Sequence, residues 1–306
     1  MTDMKVHRRL IALVVVLTGV YTVVPSSRLH GQPLLDGLSL NELRVRAEQG
    51  DTAAQDALGF RYLTGRGVQR DEVEAIRWFR LAAEQGDAVA QSNLGSVYDA
   101  GRGVPQDYVE AVRWYLLAAD QGNAGARHNL GYMYANGRGL SQDNAEAVRW
   151  FRLAAEQGFA EAQSDLGGMY ADGRGVQRDD TEAVRWFRLG VDQGNAVAQT
   201  NLGFMYATGR GVSQDDTEAV LWFRLAAEQG NARAQFNLGN MLASGRGVPR
   251  DDVEAHVWFN LAAAHSSGQG RDTYVKRRDA VAEGMTREQT AEAQRRAREW
   301  TPTIEP

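Results

Sequence analysis

Tryptophan recurs every 36 residues, at Trp78, Trp114, Trp150, Trp186, Trp222 and Trp258. The Gly-Arg-Gly triplets that begin at Gly65, Gly101, Gly137, Gly173, Gly209 and Gly245 keep the same period. Six copies fill residues 51–266 without an insertion. A fixed period of this length marks a stack of supersecondary units rather than one compact core. The copies also report on one another. A column that is fixed in all six serves the repeat, and a column that varies is left free.

Each copy reads as two helices. Helix A starts at an Asp or Asn after Gln-Gly, as at Asp87 and Asn123, where the side-chain oxygen can accept an orphan backbone N–H. In the second copy Ala90, Leu94, Val97 and Tyr98 follow at helical spacing, and Gly101 ends the helix as a left-handed cap. Helix B starts with Asp-x-x-Glu in all six copies, from Asp71/Glu74 to Asp251/Glu254, a capping-box pattern. In the first five copies it closes at Gln-Gly, with Gly86, Gly122, Gly158, Gly194 and Gly230 just past its end. Each helix is expected to span about 14 residues, roughly 21 Å. One such hairpin cannot bury its apolar side alone, so the Trp, Phe or Tyr, and Leu of helix B are expected to pack on the next hairpin. The Leu-Gly pairs, Leu58-Gly59 through Leu238-Gly239, suit close approach of two helices. The expected fold is all-α: an α-solenoid of stacked antiparallel helix hairpins with a right-handed superhelical bend.

The ends depart from the repeat, as terminal units must to meet water. Residues 39–50 read as an orphan helix B, with Ser39-x-x-Glu42 as its capping box and Glu42 in the tryptophan column. The repeats are then 51–86, 87–122, 123–158, 159–194, 195–230 and 231–266. Residues 267–306 carry two more helical stretches, the last opened by Thr286-x-x-Gln289, and are expected to form a C-terminal helical cap.

Residues 1–30 stand apart. Lys5, His7, Arg8 and Arg9 precede an apolar run from Leu10 to Val24, the layout of a secretory signal. As a helix that run spans roughly 22 Å, short of a ~30 Å hydrocarbon core, which favours a signal peptide over a membrane anchor. Residues 31–38 read as a linker. The expected location is outside the cytoplasm, periplasmic or secreted. The alternative is anchorage in the inner membrane with the repeats outside the cytoplasm, and the membrane is met only through this segment.

The repeat resembles the Sel-1-like repeat family, a relative of the tetratricopeptide repeat. The residues that carry the resemblance are Ala-x-Ala-Gln-x-Asn-Leu-Gly-x-x-Tyr, Gly-Arg-Gly-Val and Asp-x-x-Glu-Ala-x-x-Trp-Phe-x-Leu-Ala-Ala-Glu-Gln-Gly, spelled out between Ala88 and Gly230. It covers roughly residues 39–266. The resemblance implies an adaptor or scaffold that gathers other proteins, often at membranes or in the bacterial envelope. Some relatives are linked to penicillin binding or β-lactamase activity, but those are rich in cysteine and this chain has none.

Chemistry is sparse. The absence of cysteine removes thiolate metal sites and a cysteine nucleophile. HExxH, P-loop, G-x-S-x-G and S-x-x-K patterns are missing. No catalytic residue, metal site or cofactor is expected, and an enzyme is not expected. The alternatives are a cell-wall or β-lactam amide hydrolase and a membrane-anchored signalling adaptor. Net charge is −5 overall. Residues 1–30 hold +3, so the rest is acidic, which argues against a nucleic-acid partner.

The expected partner is a protein or peptide. Within helix A the copies disagree at the third, sixth, tenth and fourteenth positions, steps of three and four that share one face. The sixth position includes His128, Thr200 and Phe236, and the tenth includes Phe60, Ser96, Tyr132, Phe204 and Asn240. In related solenoids helix A lines the concave groove, so these eight residues are the candidate partner-binding set, with aromatics as anchors. The Gly-Arg-Gly arginines are expected instead to pair with acids of neighbouring hairpins or to bond helix A carbonyls. The Asn column (Asn93, Asn129, Asn201 and Asn237, with Asp165) is expected to tie hairpins together.

Overall fold

The computed structural model describes Leu35 and residues 37–303. The expected signal at residues 1–30 lies outside them. The described residues contain fifteen α-helices and no strand. Helix α1 (Leu40–Glu48) precedes six hairpins. These are α2 (Thr52–Thr64) with α3 (Glu72–Glu84), α4 (Ala88–Ala100) with α5 (Tyr108–Asp120), and α6 (Ala124–Asn136) with α7 (Asn144–Ala155). They continue as α8 (Ala160–Asp172) with α9 (Asp180–Val191), α10 (Ala196–Thr208) with α11 (Asp216–Glu228), and α12 (Ala232–Ser244) with α13 (Asp252–Ala264). Helices α14 (Gly268–Ala282) and α15 (Arg287–Glu299) close the chain. The described residues form two units: an N-terminal unit up to residue 162 with 173–177, and a C-terminal unit of 163–172 and 178–303. Within each, hairpins stack as an α-solenoid. None of the described helices is long and apolar enough to cross a membrane.

The helix ends form where the sequence places them, with one correction. Asp51 accepts from the Ala54 N–H at 3.1 Å, and Gly101 takes φ +65° at the end of α4. At the start of α3, the Asp71 carboxylate accepts from the N–H groups of Val73 and Glu74, each at 3.0 Å. The reciprocal half of the capping box is not made there. The Asp71 N–H already donates to the Tyr62 carbonyl at 3.0 Å, and Asp107, Asp143, Asp179, Asp215 and Asp251 repeat that bond one hairpin after another. With nothing to reach back for, the Glu side chain turns to another donor. Glu74, Glu110, Glu146 and Glu182 take the arginine three residues on. Glu218 and Glu254 instead accept from the indole N–H of Trp222 and Trp258, at 3.1 and 3.2 Å. Among the described residues, full boxes form in α1, between Ser39 and Glu42, and in α15, between Thr286 and Gln289.

The cores are built from the expected aromatic columns. Phe79, Tyr115, Phe187 and Phe259 are fully buried, each the residue after a column tryptophan. The Leu-Gly glycine is where that ring lands: a Cβ on Gly59 would sit 2.7 Å from the Phe79 ring and 3.1 Å from the Ala75 carbonyl oxygen. Only glycine lets α2 lie that close to α3. The leucine of helix B is a correction, because Leu81, Leu117, Leu189 and Leu225 are exposed. Packing in these four copies uses the Trp and the aromatic with the small residues that follow, and the leucine points outward.

Polar ladders join successive hairpins. Gln55 donates to the Ala47 carbonyl at 2.9 Å and accepts from the Gln85 amide at 2.8 Å. Gln91 repeats this with Ala83 and Gln121. In the last copy His265 replaces the second glutamine, its Nδ1 lying 3.3 Å from Gln235 Oε1. Gln235 spends its own amide on the Ala227 carbonyl, so His265 Nδ1 must carry the proton. Two of the Gly-Arg-Gly arginines, Arg210 and Arg246, take the structural course. Arg210 donates to both oxygens of Asp180, at 3.2 and 2.6 Å, and to the Ala171 carbonyl. Arg246 does the same with Asp216 and Ala207. Arg210 and Arg178 together hold the Asp180 carboxyl down at about 2.

Candidate partner-binding face

The eight candidate residues divide into three groups. Ser96, His128 and Thr200 are buried, which corrects the expectation that they belong to a partner-binding set. Ser96 accepts from the Tyr115 hydroxyl at 3.2 Å. His128 lies between the rings of Phe151 and Phe159, centroids 5.6 and 5.2 Å away. Thr200 returns its hydroxyl proton to the Ala196 carbonyl at 2.7 Å. The reason is geometric. A stripe at steps of three and four lies on one side of helix A, but helix B of the same hairpin covers that side at Ser96 and His128, and the helix A of the next hairpin covers it at the sixth position of the first copy. Asp56 and Asn93, a sixth and a seventh position in successive copies, meet there at 2.7 Å. Variation at these positions follows pairwise fit between neighbours.

A second group is occupied by the chain itself. Phe236 stacks on Tyr274 of α14, with centroids 4.6 Å apart, and also meets Phe259 at 5.7 Å. Asn240 accepts two bonds from the Arg277 guanidinium, at 3.0 and 2.8 Å. Helix α14 therefore stands where the next helix A would stand and covers this end of the face. The sequence signal was present in Tyr274 and Arg277, but no repeat column marked them.

Phe60, Tyr132 and Phe204 form the third group, and all are half-buried. Phe60 packs on the core of the N-terminal unit. The Arg138 guanidinium lies 5.0 Å from the Tyr132 ring and 5.4 Å from that of Tyr108. Tyr108 stands in the column that supplies Asp180 and Asp216 to the later arginines, so here that column offers the arginine an aromatic face. In the C-terminal unit Phe204 lies between Arg210 and Arg233, each 6.0 Å from its ring. These contacts fix flat aromatic faces on helix A while leaving part of each ring open. That arrangement suits peptide contact and offers no acid–base or nucleophilic chemistry. No cluster of metal-ligating residues is found among the described residues.

Comparison with known proteins agrees with this architecture. Six consecutive segments match the Sel1 repeat: 52–87, 88–123, 124–159, 160–195, 196–231 and 232–267. The frame begins one residue after the one read from the sequence. A solved Sel1 repeat protein from Oxalobacter formigenes is 34% identical with a TM-score of 0.69, over 75% of this chain and 91% of that one. A protective antigen of uropathogenic Escherichia coli strains displaying an SLR fold is 27% identical with a TM-score of 0.45, over 85% of this chain and 78% of that one. The secretory immunoglobulin A-binding protein EsiB of Escherichia coli O6:H1 is 41% identical over 68 residues, 22% of this chain. The match spans only 13% of that protein's length. With the whole repeat array matched and a solved relative covered almost end to end, the chain belongs to the Sel1 repeat family.

Proposed function

We propose that the chain is a non-enzymatic scaffold of the bacterial cell envelope that binds a protein or peptide partner on the exposed remainder of the helix A face. Sel1 repeat proteins are typically protein-interaction scaffolds, and that general role applies here. The partner's contacts are Phe60 and Tyr132 in the N-terminal unit and Phe204 in the C-terminal unit. One observation carries the reading. Almost every fixed column has a packing or hydrogen-bonding task, whereas Tyr132 and Phe204 are large, half-open rings braced by Arg138, Arg210 and Arg233. Rigid aromatics of this kind are favoured binding anchors. Residues 1–30 act as the export signal, residues 31–38 as a linker, and residues 267–306 as the C-terminal cap.

The test is photo-crosslinking in the native bacterium, with probes at Tyr132 and Phe204 and controls at Arg113 and Arg185 on helix B. A discrete adduct from the first pair and none from the second is expected. Equal labelling from all four, or none, overturns the assignment of the face. N-terminal sequencing of the mature protein tests export: a free end beyond residue 24 is expected, and an intact Met1 end in the membrane fraction overturns it.

A further inference from the structure

The outer side of helix B carries a column that changes character along the array. It holds Arg77, Arg113, Arg149 and Arg185 in the first four copies, then Leu221 and Val257. Each arginine lies over its neighbouring tryptophan, 4.2 to 5.5 Å from the ring centroid, and pairs with the glutamate three residues back. In the first four copies the helix B leucine therefore has a paired arginine, not an apolar side chain, beside it. In the last two copies the same position and the leucine four residues on form an apolar pair on one face: Leu221 with Leu225, and Val257 with Leu261.

The two pairs have different fates. Val257 and Leu261 are each only 5% exposed. They join a cluster with Ala293 and Ala297 of α15 and with Trp300. Helix α15 thus sits on α13 through two small residues four apart, and Trp300 lies edge-on to Trp258 with centroids 6.3 Å apart. The tail then reaches the end of α11, where the Thr303 N–H donates to the Glu228 carbonyl at 2.8 Å. One turn away the second pair is open: Leu221 is 46% exposed and Leu225 37%.

We propose that the outer face of α11, at Leu221 and Leu225, docks an amphipathic helix that presents small residues at i and i+4 and ends in tryptophan. The occupant's chemistry is shown one repeat along, where α15 covers the equivalent pair. A small-residue edge lets a helix approach two aliphatic side chains closely, and the terminal indole extends the apolar contact. The proposal is independent of the helix A face, which uses the other helix of each hairpin.

The probe is a labelled peptide of residues 286–303 carrying Glu292→Lys, held helical by a lactam bridge from that lysine to Glu288, both positions being exposed on α15. It is titrated by fluorescence anisotropy against the full chain. Saturable binding is expected. Leu221→Arg, which installs the residue of the first four copies, is expected to weaken it at least tenfold while leaving the thermal unfolding curve in place. Ala297→Arg in the peptide is expected to do the same. Absence of binding overturns the proposal. So does binding that Leu221→Arg leaves unchanged, because the peptide would then be exchanging with α15 on α13.

Discussion

Asp56 is a carboxylic acid in a place built for neutral side chains. It is 1% exposed, and the other copies carry Ser, His, Ser, Thr and Phe at its position. Oδ1 accepts from the Asn93 amide at 2.7 Å, and Oδ2 has no partner. Burial pushes its pKa from 3.8 up to about 7, against the Asn93 hydrogen bond and with a smaller push from the charge of Asp87. The folded state therefore keeps a proton that the unfolded chain gives up above 3.8. Stability is greatest below that value and falls by ~1.4 kcal/mol per pH unit until the folded group ionises near 7. Across the window the loss is about 4 kcal/mol. Replacing Asp56 by Ser, the residue of the second and fourth copies, removes this slope. The lost Asn93 bond and lost volume cost the same at every pH, so only the difference between variant and parent carries the signal. Denaturant melts at pH 5 and pH 8, with hydrogen exchange of the α2 amides to localise the opening, are the assay. The variant is expected to gain on the parent by roughly 1.5–3 kcal/mol between those two pH values. A difference that stays flat, or that moves in favour of the parent, refutes the reasoning.

Three further perturbations have defined outcomes. Trp150→Ala removes a buried indole from the N-terminal unit and is expected to cost about 3–5 kcal/mol in urea melts, with a loss below about 1 kcal/mol contradicting its core role. Gly203→Ala places a Cβ 2.8 Å from the Phe223 ring and should destabilise by about 1–3 kcal/mol through overpacking, whereas an unchanged midpoint would show that the crossing can open. His256 is kept neutral chiefly by burial, with Arg278 adding to the effect and Asp279 opposing it, so its folded pKa lies below 6.5. Its contribution is complete above 6.5 and declines as pH falls below that value. His256→Val, the residue of the second to fifth copies, should flatten the acid side of the stability profile, and an unaltered acid limb would contradict this.

The architecture was legible because a helical repeat writes its constraints many times. Six tryptophans set the period, and the Gly-Arg-Gly triplets and Asp-x-x-Glu starts each fixed a helix boundary to within a residue or two. The face proposed for partners was less legible. Periodicity places Thr200 and His128 on a side of helix A but does not say that neighbouring residues cover that side. Asp56 and Asn93 could be paired only once the stacking offset was known. Phe236 and Asn240 were lost to α14, whose sequence carries no repeat column. The exposed leucines of helix B were misjudged because a fixed apolar column looks like core when only its chemistry is read.

The bonds between hairpins have one more consequence. Gln55 reaches back 8 residues to Ala47, Asn93 37 to Asp56, and Arg246 both 30 to Asp216 and 39 to Ala207. Inserting or deleting one whole 36-residue unit leaves every such offset intact on either side of the splice, except where a partner is peculiar to one copy. An in-frame duplication or loss inside the array is therefore a mild event for this chain, while a change of one residue would break several bonds at once. Length becomes a heritable variable that recombination can adjust in fixed steps, and the number of binding surfaces displayed changes with it.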